Sequence, residues 1–110
     1  EGIVPGGGVA LLNASQKIEP SNEGEKILLN AIKSPFATIM SNAGFDTLGY
    51  PEKEGNGVNV ITGEEVNMIT EGIIDPVLVT KSALKNAVSV VSTIISADCV
   101  ISNVRVNESN

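Results

Sequence analysis

The chain has 110 residues, the length of one domain, with 7 basic and 13 acidic side chains, no histidine and a net charge of −6. That balance argues against a nucleic-acid backbone, which is held by Lys and Arg, and against a polybasic membrane-surface module. A single cysteine excludes an internal disulfide framework and a Cys/His zinc cluster, and no apolar run approaches the roughly 18 residues that span a bilayer. The apolar fraction of 42% is ordinary, but aromatics reach only 3%, as Phe36, Phe45 and Tyr50. An aliphatic core of Val, Ile, Leu and Ala is therefore expected. Such a core is marginal at this size, which favours a segment that completes its packing against other parts of a larger protein. The opening Glu1-Gly2-Ile3 has neither an initiator Met nor the basic start of a secretory leader, in keeping with a piece of a longer chain.

Residues 1–8 form a short apolar stretch ending in Pro5 and three glycines. In residues 9–18, Val9, Leu12 and Gln16 lie on one side with Leu11, Ala14 and Ile18 nearby, which predicts a largely buried helix. After the break at Pro20, Asn22 and Glu25 have capping-box spacing. Leu28, Leu29, Ile32, Phe36, Ile39 and Met40 then follow the helical period. Pro35 either kinks that helix or opens a new one capped by Ser34, and Asn42-Ala43-Gly44 ends it.

Residues 45–57 read as an exposed loop. Residues 58–62 are β-branched, Gly63 turns the chain and residues 65–67 return, which predicts a hairpin. A short helix over 66–72 is expected to stop at Gly72. Asp75-Pro76 reads as an N-cap followed by the first helical residue, and the stripe Leu84, Ala87, Val88, Val91, Ile94 and Ile95 follows. Residues 98–106 alternate imperfectly and predict a terminal strand, with 107–110 fraying. The fold class is thus mainly α, with a small β-hairpin and a C-terminal strand.

Few features carry chemistry. Gly6-Gly7-Gly8 enters a helix, where exposed N–H groups and the dipole suit a phosphate, although on spacing alone a flexible, tightly packed turn explains the glycines better. Asp75 can accept from ribose hydroxyls or simply cap a helix, and the Asn59 amide can read an adenine edge or simply turn the chain. Glu64 and Glu65 are adjacent, so on a strand they face opposite ways and make a poor acid–base pair. Cys99 has no basic neighbour and reads as a buried small hydrophobe.

The blocks EGIVPGGGVALL, NEGEKILLNAIKSP, SNAG and VNMITEGIIDPVLVTKSALKNA, in this order, resemble the C-terminal part of the equatorial domain of group I chaperonins, the GroEL type, from Glu1 to about Val106. The resemblance implies residues 1–106 as the C-terminal segment of a nucleotide-binding, ring-forming domain and 107–110 as a tail. It implies an ATP-dependent chaperonin that assists protein folding as a ring of like subunits. ATP with Mg2+ is the implied cofactor, with the metal held mainly by parts outside this chain. Unfolded clients and a co-chaperonin are engaged through other domains, and neither nucleic acid nor membrane is implied. The compartment would be the bacterial cytoplasm, or the mitochondrial or plastid matrix.

Carried onto this chain, the resemblance assigns the nucleotide wall to Gly6 and Gly7, to Asn59 with Val60 and Ile61 near adenine, to Ile73 lining the base pocket, and to Asp75 at the ribose. It supplies no catalytic residue here, so the chain alone is expected to be inactive although the intact parent is an ATPase. Val58, Val60 and Ile61 depart from the family's usual residues, and the 45–57 loop is short. These departures motivate the alternative of a structural module that keeps the scaffold without binding nucleotide. Ala37 replaces an inter-ring basic residue, while Asp46 keeps an acidic one.

Overall fold

A computed structural model describes residues 2–45 and 49–108, with side chains through 97. Asp46 lies outside the described residues. The chain divides into two compact units, Gly2–Pro76 and the helical segment from Val77 onward. Among the described residues the elements run β1 (Ile3–Pro5), α1 (Val9–Lys17), α2 (Glu23–Ala31), α3 (Ser34–Asn42), β2 (Asn56–Val58), β3 (Glu65–Asn67), β4 (Ile74–Pro76) and α4 (Val77–Glu108). The class is mainly α with short antiparallel ribbons, as expected.

In the first unit, β1 pairs antiparallel with β4, and β2 with β3. Helix α1 starts at Gly8, whose φ of +79° follows Gly7 at +66°. Two successive left-handed residues are open only to glycine. Helix α2 begins at Asn22, whose Oδ1 accepts from the Glu25 N–H at 2.8 Å, while the Glu25 carboxylate accepts from the Ser21 N–H at 2.5 Å. This is the expected box, with its return bond moved one residue outward. Glu23 and Glu25 also place negative charge at the positive end of the helix dipole.

The Pro35 alternatives resolve into two helices. Pro35 has no N–H to offer the Ala31 carbonyl, so α2 stops and α3 starts after Ile32 and Lys33, with Pro35 in its first turn. Ser34 lies inside α3 and does not cap it. Its far end is a Schellman turn: Gly44, at φ +85°, donates to Ser41 and Phe45 donates to Met40.

The hairpin forms two residues earlier than the β-branched run suggests, with Asn56 opposite Asn67 and Val58 opposite Glu65. Val60 and Ile61 lie in its turn. There the Asn59 Oδ1 accepts the Ile61 N–H at 2.9 Å, and a side chain that captures local N–H groups overrides β-propensity. The helix expected over 66–72 is strand β3 followed by a single turn. Asn67 Oδ1 accepts from the Thr70 N–H, and Gly72, at φ +77°, ends the turn before it can propagate. Asp75 is not an N-cap: it pairs with Val4 in β4, and α4 begins at Val77.

The expected strand over 98–106 is a further correction, because its backbone continues α4 to Glu108. No Gly or Pro interrupts residues 77–108, so nothing stops propagation, and the imperfect alternation carries little weight against it. Cys99 lies in this part, where only the backbone is described. The expected apolar stripe is uncovered among the described residues, with Val88, Val91, Ile94 and Ile95 exposed. Residues Val77–Ala97 form a helix long and apolar enough to cross a membrane, at a mean hydropathy of 1.2. A count of consecutive apolar residues misses this because Lys81, Lys85, Asn86 and several Thr and Ser interrupt the run.

The core of the first unit gathers Val9, Leu12, Phe36, Met40, Val58 and Met68, with Phe45, Val66 and Ile73 packed against it. It is not purely aliphatic. Phe36 is only 1% exposed at its centre, and two methionines fill the space around it. Tyr50 tilts onto Phe36, with centroids 5.9 Å apart, and the Lys33 ammonium lies 5.6 Å from the Tyr50 ring centroid.

Candidate functional site

The glycine run joins β1 to α1 and is fastened at its first residue. The Gly6 N–H donates to the Ile73 carbonyl at 2.8 Å, and the Val9 N–H returns to the Gly6 carbonyl at 3.2 Å. Beyond this bond β4 runs antiparallel to β1, with Ile74 opposite Pro5 and Asp75 opposite Val4. Gly6 and Ile73, distant in sequence, therefore meet at the end of the small ribbon that carries Asp75, and Gly7 follows in the turn beyond it. Gly6 is buried, Ile73 is half-buried and the Asp75 carboxylate is exposed. That carboxylate makes no hydrogen bond or ion pair with a described residue.

Asn59, Val60 and Ile61 occupy the turn between β2 and β3. The Asn59 backbone brackets this turn, donating to the Glu64 carbonyl at 2.9 Å and accepting from the Gly63 N–H at 2.7 Å. Its Oδ1 is engaged by Ile61, with a longer contact from the Thr62 N–H at 3.4 Å. The side-chain NH2 makes no hydrogen bond with a described residue and remains the group able to meet a ligand acceptor. Ile61 is 91% exposed, so no described residue covers it. Among the described residues no hydrogen bond joins Asn59, Val60 or Ile61 directly to Gly6, Ile73 or Asp75.

The fit to a phosphate-bearing cofactor can be tested on the glycines. A Cβ on Gly6 would come within 3.1 Å of the Ile73 carbonyl oxygen, one on Gly7 within 2.9 Å of the Met68 methyl, and one on Gly8 within 2.5 Å of the Phe36 nitrogen. Close packing against main chain thus requires glycine at Gly8 and leaves little room at Gly6, whereas Gly7 meets only the movable end of a methionine and is set by its φ of +66°. The Gly7 and Gly8 N–H groups nevertheless make no hydrogen bond with a described residue, which leaves two donors at the start of α1. The fit is that of an open wall with donors at one end and a carboxylate nearby. No group of three or more Asp, Glu or Cys among the described residues could hold a metal ion, so no Mg2+ site is assigned to them.

Two surface clefts lie elsewhere. One, of about 400 Å3, is lined by Phe36, Met40, Phe45 and Tyr50 among others, and one of about 520 Å3 is lined by Gly49, Tyr50, Val58 and Glu65 among others. Neither contains any of the seven candidate residues.

Residues missed in the sequence also shape this region. Met68 links the two groups, its N–H donating to Gly55 at 3.0 Å and its carbonyl accepting from Ile73 at 2.8 Å. Asn13 accepts from the Gly55 N–H. A buried Asn in the middle of an apolar helix was the signal available for it. The model of the TCP-1/cpn60 chaperonin family matches residues 1–105.

Proposed function

Because the chain belongs to the TCP-1/cpn60 chaperonin family, whose role is in protein folding, we propose that it is the C-terminal part of the equatorial domain of a group I chaperonin and forms one wall of an ATP site. The supporting observation is the Gly6–Ile73 hydrogen bond, which with the β1–β4 ribbon brings the glycine run and Asp75 together. In this reading Gly7 and Gly8 N–H groups face phosphate, Asp75 accepts from the ribose, Ile73 flanks the base and Asn59 meets it with its amide NH2. ATP, when bound, supplies the phosphoryl group. This chain binds and orients it, while metal and attacking water are held by other parts of the intact protein. The exposed apolar face of α4 is then covered by the rest of the protein and by neighbouring subunits of a ring.

Equilibrium binding of Mg-ATP to the intact protein tests this. Asp75→Asn keeps shape and removes the charge-assisted acceptor, with an expected loss of about tenfold in affinity. Unchanged affinity overturns the ribose role. The alternative, a scaffold that does not bind nucleotide, is favoured by the exposure of Val60 and Ile61 and by the internal engagement of Asn59. It is the correct reading if the intact, folded parent binds no Mg-ATP.

A further inference from the structure

We propose that Asn13 is a positioning residue that holds the hairpin half and the glycine half of the candidate site in register. This rests on the nucleotide-site reading and extends it to a residue with no place in that wall.

Asn13 is 8% exposed in the middle of α1, and its Oδ1 accepts from the Gly55 N–H at 2.9 Å. From there a hydrogen-bond circuit runs through backbone alone. The Gly55 carbonyl accepts from Met68 at 3.0 Å, the Met68 carbonyl from Ile73 at 2.8 Å, the Ile73 carbonyl from Gly6 at 2.8 Å, and the Gly6 carbonyl from Val9 at 3.2 Å. Val9 opens α1 one turn before Asn13, so the circuit closes on the helix where it began. Two candidate residues, Gly6 and Ile73, are members of the circuit. Gly55 leads directly into β2 and so to Asn59, and Ile73 leads directly into β4 and so to Asp75.

Asn13 contributes a side-chain link to this ring, and it joins the hairpin to the helix. The Asn13 side chain is buried and Gly55 is half-buried, so the bond is partly shielded from water and its loss leaves the Gly55 N–H without its protein acceptor. One turn further along α1, Lys17 pairs with Glu54, the residue before Gly55. That pair is more than half exposed on both sides and adds little to the hold. Gly55 itself has φ +83°, the backbone shape that presents its N–H to Asn13 and its carbonyl to Met68.

The test uses the intact protein, with Mg-ATP binding and amide hydrogen exchange read on the same samples. Asn13→Leu keeps the volume and removes the acceptor; Asn13→Asp keeps the acceptor. For Asn13→Leu the expected results are an affinity about tenfold weaker and joint loss of protection at the Gly55, Met68 and Ile73 amides. Asn13→Asp restores both, and Lys17→Ala stays within about twofold of the parent. Asn13→Leu that is folded, binds normally and keeps those amides protected overturns the proposal. A parent that binds no Mg-ATP overturns the nucleotide reading instead. Exchange then decides for Asn13: loss spreading from Gly55 to Ile73 supports the clamp, and loss confined to Gly55 overturns it. If Asn13→Leu does not fold, Asn13→Ser, which is polar but too short to reach Gly55, is scored by the same two readouts.

Discussion

Gly8 stands against the backbone of Phe36: a Cβ on Gly8 would lie 2.5 Å from the Phe36 nitrogen and 2.7 Å from its Cα. The start of α1 and the first turn of α3 therefore touch main chain to main chain. No side chain can rotate away to make room, and the φ of +79° at Gly8 adds conformational strain for any other residue. Gly8→Ala is expected to destabilise the first unit by about 2–4 kcal/mol, read as a lower urea midpoint.

Phe36 is the central packing element of that unit. Phe36→Ala removes a ring that is 1% exposed and is expected to cost about 3–5 kcal/mol. Ile61→Ser, at a position 91% exposed, should change stability by less than about 0.5 kcal/mol. Comparing the two denaturation midpoints checks both. A large effect at Ile61 would show that the hairpin turn is covered in the intact protein.

Helix α2 has no fully buried residue and depends on its N-terminal cap. Asn22→Ala is expected to cost about 1 kcal/mol, and Asn22→Asp to cost almost nothing, because its carboxylate still accepts from Glu25. Helix-specific amide exchange in α2 distinguishes a local loss from a global one.

The exposed face of α4 predicts association of the 110-residue chain on its own. Val91, Ile94 and Ile95 are each more than half exposed. Sedimentation velocity is expected to show concentration-dependent self-association, and an Ile94→Glu, Ile95→Glu double variant is expected to reduce it. A monodisperse parent would show that the face is satisfied within one chain.

Much of the fold was legible because it rests on local chemistry. The Asn22 cap, the Gly44 stop and the hairpin come from residues a few positions apart. The misplaced pieces came from competition. Asn59 took the N–H that a longer strand needed, and Val4 took Asp75 into a ribbon where a cap was expected. Strand β1 itself was invisible as a strand, since its partner lies at the far end of the unit. The candidate residues could be named from their resemblance to a family, but not their grouping. That Gly6 meets Ile73, while Asn59 sits on a separate turn, depends on bonds through Met68 that no spacing encodes.

The pairing of Ile3 with Pro76 has a consequence for biosynthesis. Strand β1 leaves the ribosome well before β4, an interval on the order of several seconds at ordinary elongation rates. During that time α1, α2, α3 and the hairpin can collapse around Phe36, while the Gly6 amide still lacks the Ile73 carbonyl. Closing so long a loop is entropically slow, and an unpaired strand is an invitation to wrong partners. Its three-residue length and Pro5, which cannot donate, blunt that hazard. The glycine turn is thus the last part of the first unit to mature: a nascent chain that has not yet delivered residue 73 can own a core but not a finished glycine turn.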